Sequence, residues 1–197
     1  MDKDWSAYLY QTLLMKVQRG EYITDQQSPD QPAFPADSML DSILLTQQRK
    51  VEEIVGAALY PTYSYARVYS PGAVLEQHKD RPACEVSITL TLGFEGEPSP
   101  LFVVKDKLGE KEELPAGEYD EEYIRTERWG GKPSKIVLTE AGDALAYQAC
   151  KLIHWREEQP SSRLAQVFLH YVRRDGKNTA HKYDGKDPSA FLKGPLD

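Results

Sequence analysis

The sequence predicts a mainly antiparallel β fold buttressed by N-terminal helices. Residues 1–60 hold two stretches with helical apolar spacing, and after Pro61 the pattern switches to two-residue alternation. No helical stretch separates the strand-like segments that follow, which argues against βαβ units and for antiparallel pairing. A double-stranded β-helix, the jelly-roll or cupin-like barrel, fits this order best.

The elements follow in turn. Trp5, Tyr8, Leu9, Leu13 and Val17 recur at helical spacing before Gly20, so one amphipathic helix is expected over 5–19. The Gln-, Asp-, Ser- and Pro-rich stretch from Asp25 to Pro35 reads as a loop. A second helix starts at the Asp37-Ser38 cap and carries Leu40, Ile43, Leu44, Val51, Ile54, Val55 and Leu59, with Gln47 to Lys50 as a polar interruption and Pro61 beyond its end. Its apolar stripe needs a sheet to cover.

Tyr63, Tyr65, Arg67 and Tyr69 alternate into the Ser70-Pro71-Gly72 turn, and Val74 to His78 continue extended. Val86 to Leu92 and Leu101 to Val104 are rich in β-branched and aliphatic residues and read as strands. Residues 105–135 are strongly charged and glycine-containing, an insertion whose length suggests a lid. Strands resume at Ile136–Leu138, at Ala144–Tyr147 after the Glu140–Asp143 turn, at Ala149–His154, and from Arg163 through Val172. Residues 174–197 form a polar tail. The whole is expected to be one domain: helical support over 1–60, the β-helix core over 61–173, and the tail.

At 197 residues the chain is large enough to bury a core, and its 40% hydrophobic and 28% charged composition is that of a folded protein. A formal net charge of -7 without a basic stripe argues against nucleic acid as a partner. The N-terminus lacks a signal-peptide apolar core and no apolar run is long enough to span a bilayer, so a cytoplasmic protein without a membrane partner is expected. Cys84 and Cys150 lack zinc-type spacing and read as buried free thiols, with a pair between them as the alternative.

Four histidines are present, and His78 is followed two residues later by Asp80. In extended chain, residues two apart share a face, so the imidazole and carboxylate can converge on one metal. His154, at the end of a distant strand, would complete a two-histidine, one-carboxylate facial triad with open coordination positions. Nine residues on, Arg163 opens the last long strand. An arginine pointing into a barrel demands an anion, and a dicarboxylate would supply one.

The run Arg67-Val-Tyr69-Ser-Pro-Gly72-Ala-Val-Leu-Glu-Gln-His78-Lys-Asp80, with the Ser/Ile/Thr-rich strand after it, resembles the iron-binding half of the prolyl-4-hydroxylase-like 2-oxoglutarate oxygenases. Gly142-Asp143, an apolar strand, His154 and Arg163 resemble that family's closing motif. The similarity thus spans 63–172 in the expected order.

The resemblance implies an Fe(II)- and 2-oxoglutarate-dependent dioxygenase with His78, Asp80 and His154 as catalytic metal ligands and Arg163 on the distal carboxylate of the co-substrate. It implies O2 as the oxidant, ascorbate as an accessory reductant, succinate and CO2 as products, and hydroxylation as the usual outcome. Asp80 speaks against halogenation, since related halogenases lack this carboxylate. Relatives often place a hydroxyl residue two positions after the arginine, where this chain has Ala165; Tyr69 is the first substitute, with Thr89 or Tyr65 behind it.

Counting by twos from Arg163 puts Ala165, Val167, Leu169 and Tyr171 on its face and His170 on the other, which sets His170 aside as a ligand. His181 reads as a surface residue. Arg67, Arg81 and Glu85 are charges beside apolar strands that either pair with one another or reach the substrate. Trp155 and Trp129 either flank the pocket or pack. A small molecule, a free amino acid or peptidyl proline is the expected substrate. A non-catalytic cupin-like metal-binding protein and a metal-dependent isomerase or hydrolase that does without 2-oxoglutarate are the rival readings.

Overall fold

Strands alternating between two environments must be covered on both faces, and the fold does this with two antiparallel sheets and a helical layer. The computed structural model describes residues 1–35, 37–107, 129–160 and 163–186. Strands β1 (Ala33–Pro35), β2 (Leu59–Tyr69), β9 (Leu164–Arg173), β4 (Val86–Phe94) and β7 (Ala144–Tyr147) form a five-stranded sheet in the order β1-β2-β9-β4-β7. Strands β3 (Leu75–His78), β8 (Leu152–Arg156), β5 (Leu101–Lys105) and β6 (Ser134–Ile136) form a four-stranded sheet in the order β3-β8-β5-β6. Every pairing is antiparallel. This is the expected jelly-roll architecture, with two separate sheets among the described residues rather than one closed ring of hydrogen bonds.

Helices α1 (Lys3–Gln18) and α2 (Ser38–Val55) cover the outer face of the five-stranded sheet. Leu9 and Leu13 of α1 and Leu40, Leu44 and Val51 of α2 pack with Val86, Ile88, Leu90, Ala165, Val167, Leu169 and Tyr171. Tyr171 also donates its hydroxyl to Leu44 O at 2.7 Å, tying β9 to α2.

Two helix details differ from expectation. Trp5 and Tyr8 lie outside the buried face of α1, at 64% and 61% exposure, and meet each other edge to face, while Ser6 and Tyr10 take the inward positions. Helix α2 runs through Gln47–Lys50 without a break and stops at Val55. Gly56 adopts φ 66, a left-handed cap that a glycine enters without steric cost, so Leu59 begins β2 instead of ending the helix.

Cys84 and Cys150 are free, Cys84 buried and Cys150 partly so. The expected lid falls mainly on 108–128, outside the described residues; the chain leaves at Asp106 and returns at Trp129, which bridge each other in antiparallel fashion. No helix among the described residues is long and apolar enough to cross a membrane.

Candidate metal centre and its cavity

Strands β3 and β8 pair so that His78 and His154 lie directly opposite. Their rings stand 4.2 Å apart centre to centre. Asp80 follows where β3 ends, and its backbone N–H donates to Ala149 O at 3.1 Å, so the carboxylate turns toward the two imidazoles. Asp80 Oδ1 lies 3.4 Å from His78 Nε2 and 3.7 Å from His154 Nε2.

The tautomers are fixed by the backbone. His78 Nδ1 is 2.7 Å from Glu76 O and His154 Nδ1 is 3.0 Å from Leu152 O. A carbonyl can only accept, so each Nδ1 carries the proton and each Nε2 turns a lone pair toward Asp80. This is how metal-binding histidines are commonly oriented. The ligand atoms of His78, Asp80 and His154 lie within 4.8 Å of one another, and this donor set suits Fe(II) or another first-row divalent cation with positions left open.

Protonation agrees with that fit. Burial pushes His154 down to about 4, with His78 adding to the depression, so His154 is neutral at physiological pH. Burial works to raise the Asp80 carboxyl, but the neighbouring imidazoles of His78, His154 and His170 hold it well below the usual carboxylate range. An ionised Asp80 beside a neutral His154 results.

The triad opens into a cavity of about 450 Å³ between the two sheets. Alternation along β8 decides what faces it: His154 and Arg156 line the cavity, whereas Trp155 points out and stacks between Phe102 and Trp129. Trp155, expected to flank the pocket or pack, therefore packs outside the cavity lining.

Arg156 is 3% exposed. Its terminal nitrogens donate to Ser99 O and to Gln166 Oε1, and its Nε has no partner. Among the described residues no carboxylate pairs with it. Beside it, the Tyr69 ring lies 5.7 Å from the guanidinium carbon and the buried Tyr69 hydroxyl is also unpartnered.

Arg163 stands elsewhere. Its side chain is 44% exposed and meets Glu95 at 3.4 Å, outside the cavity lining. The count by twos separated the faces of β9 correctly, but the face shared with Ala165, Val167, Leu169 and Tyr171 is the one buried against the helices. The cavity receives the opposite face, including Phe168 and His170. His170 is thus a cavity residue that the sequence reading set aside, and Tyr147 is a second that it missed. The expectation that Arg163 points into the barrel is corrected by the same fact: it assumed which face is inward, and the apolar run of the other face has a helical layer to cover it.

Arg67 and Arg81 do line the cavity, each with its own acid. Arg67 Nη2 donates to Asp25 at 2.6 Å, and Tyr65 donates its hydroxyl to the same carboxylate. Arg81 bridges Asp184 at 2.6 Å and lies over the Tyr63 ring, 4.2 Å from its centre. The loop at Asp25 and the turn at Asp184 so close the cavity mouth. Tyr65 is occupied by Asp25 and Thr89 lies 3.4 Å from the Tyr147 hydroxyl, which leaves Tyr69 as the free hydroxyl of the three considered.

Arg156 carried a sequence signal of its own. It stands two residues after His154, the same spacing that joins His78 to Asp80, and so had to share the triad's face.

The fold recurs in solved structures of 2-oxoglutarate/Fe(II) oxygenases. A prolyl-4-hydroxylase from Pseudomonas putida superimposes with a TM-score of 0.61 at 15% identity, covering 89% of each chain. SnoK, a non-haem α-ketoglutarate-dependent carbocyclase from nogalamycin biosynthesis, gives 0.61 at 13% identity over 92% of this chain and 81% of its own. HygX from Streptomyces hygroscopicus, solved with nickel, 2-oxoglutarate and hygromycin B bound, gives 0.55 at 15% identity over 82% and 77%. No protein-family model and no curated protein sequence matches the chain.

Proposed function

We propose that this chain is an Fe(II)- and 2-oxoglutarate-dependent oxygenase that hydroxylates a C–H bond of a small polar molecule, an amino acid or a peptidyl proline. The observation that carries the reading is Arg156: a buried guanidinium without a carboxylate partner among the described residues, in the same cavity as a facial triad. Burying such a charge costs several kcal/mol unless an anion meets it. The distal carboxylate of 2-oxoglutarate would supply that anion, with His78, Asp80 and His154 left to hold the metal. Neighbours of the same fold include one solved with metal and 2-oxoglutarate bound, which supports the assignment.

His78, Asp80 and His154 would hold the iron, which when bound activates O2 and couples decarboxylation of 2-oxoglutarate to substrate oxidation, releasing succinate and CO2. The chain's own tasks are orientation and exclusion of water. Arg156 fixes the co-substrate by charge, Gln166 and Ser99 fix Arg156, and Tyr69 offers its hydroxyl to the same carboxylate. Gln166 is itself held, donating to Thr91 Oγ1 at 3.0 Å. The polar mouth formed by Asp25, Arg67, Arg81 and Asp184 faces the substrate and suits a polar one.

The test is anaerobic addition of Fe(II) and 2-oxoglutarate, reading the metal-to-keto-acid charge-transfer band, followed by oxygen, ascorbate and a succinate assay. Wild type is expected to show the band and make succinate, and His78→Ala to do neither. Arg156→Ala is expected to need far more 2-oxoglutarate, while Arg163→Ala behaves as wild type. No band in folded, iron-loaded protein overturns the oxygenase reading, and dependence on Arg163 instead of Arg156 overturns the anchor.

A further inference from the structure

Behind the triad lies a second group of metal-binding atoms. Cys84 Sγ, a His170 ring nitrogen and an Asp80 carboxylate oxygen lie within 4.8 Å of one another. Cys84 and His170 are buried, and the short 3-10 turn Pro82–Cys84 after Asp80 brings the thiol back beneath the carboxylate.

His170 is prepared to ligate. Its Nδ1 lies 2.9 Å from Ser87 Oγ, and that hydroxyl is also within 3.3 Å of Cys84 O. Ser87 has one proton, and Cys84 O can only accept it. With the Ser87 proton on Cys84 O, Ser87 Oγ accepts from His170 Nδ1–H, and this tautomer leaves Nε2 with its lone pair. His170 is only 5% exposed and lines the cavity. The Tyr63 hydroxyl lies 3.0 Å from Cys84 Sγ, placed to donate to a thiolate, and Arg81 over the Tyr63 ring adds positive charge on the same side. The arrangement repeats the logic of the triad: a histidine with its far nitrogen held, a carboxylate, and a third ligand on a separate turn.

We propose that Asp80, Cys84 and His170 form a second cation site that takes a thiophilic divalent ion of the zinc class, with Asp80 bridging it to the triad's own ion. Sulfur, nitrogen and oxygen donors together match zinc's preferences, whereas the triad's donors are nitrogen and oxygen alone. The thiol proton leaves to solvent as the metal–sulfur bond forms. Water from the cavity, which His170 lines, completes four-coordination. The site goes beyond the oxygenase reading and shares only Asp80 with it.

Cobalt(II) is the probe, since thiolate ligation gives it a sulfur-to-metal charge-transfer band. Metal-free reduced protein titrated anaerobically with Co(II) should bind two equivalents, the band growing with one of them. Cys84→Ser should bind one equivalent and show no band, His170→Gln should weaken the band-forming equivalent at least tenfold, and His78→Ala should keep the band. Far-UV circular dichroism checks that each variant is folded, and either Cys84→Ser or His170→Gln suffices. One equivalent without a band in wild type overturns the proposal, as does a band that survives Cys84→Ser or one lost with His78→Ala. Failure of the oxygenase reading would instead show as a missing 2-oxoglutarate band with two cobalt equivalents still bound.

Discussion

The two faces of β9 make opposite use of one strand. On one face Ala165, Val167, Leu169 and Tyr171 are apolar or end in a single satisfied hydroxyl, and they join the core under α1 and α2. On the other, Gln166, Phe168 and His170 border the space between the sheets and mix amide, aromatic and imidazole groups. The first face supplies stability through area removed from water, and the second gives up some of that stability to hold polar groups where a ligand can meet them. Substitutions on the two faces should therefore separate binding from folding.

The largest separation is expected at Arg156, which Gln166 holds from the cavity face. Arg156→Ala should raise the 2-oxoglutarate Kd by about a hundredfold or more, the scale of a lost charge-assisted contact to a buried carboxylate, as read by titration calorimetry on metal-loaded protein. A change under tenfold would put the anchor elsewhere. On the opposite face, Leu169→Ala should cost about 3 kcal/mol in denaturant unfolding through the cavity it leaves, with 2-oxoglutarate affinity unchanged in the folded fraction.

The pH response comes next in size. Burial holds both His154 and His170 down to about 4, and His170 is faced by Asp80, Arg81 and Asp184. The unfolded chain takes up these protons near the ordinary histidine value of about 6.5, so between the two values it binds more protons than the folded state. Stability of the metal-free protein should then fall as pH drops from 7.5 to 5.5, by about 1 kcal/mol for each histidine. His170→Gln should flatten that dependence in urea titrations, and an unchanged slope would mean that His170 is already charged when folded. Smallest of all, Arg163→Ala should change stability by no more than about 0.5 kcal/mol, because its ion pair with Glu95 is largely exposed.

The same contrast explains what could be read from the sequence. His78 and Asp80 were legible because two residues in an extended run must share a face, and His154 because strands of a jelly-roll return to one another. The helices were legible from apolar spacing, though Trp5 and Tyr8 show that spacing alone does not say which edge of the stripe is covered. Periodicity sorts a strand's residues into two sets and is silent on which set faces inward. That choice is made by the neighbours, here the helical layer over Val167 and Leu169, and it moved Arg163 out and His170 in. Arg156 was within reach of the rule that found Asp80, and Tyr147 acquired its place only through the pairing of β7 with β4.

The clasp that β3 and β8 place around the triad carries a mechanical consequence. His78 and His154 are remote in the chain, opposite in the sheet, and each is held by a carbonyl of its own strand. An ion gripping both behaves as a removable cross-link, closing a long loop that the unfolded chain would otherwise explore. Amide hydrogen exchange should accordingly slow along β3 and β8 when metal is added and quicken again under a chelator, so that the rigidity of the smaller sheet follows the supply of metal.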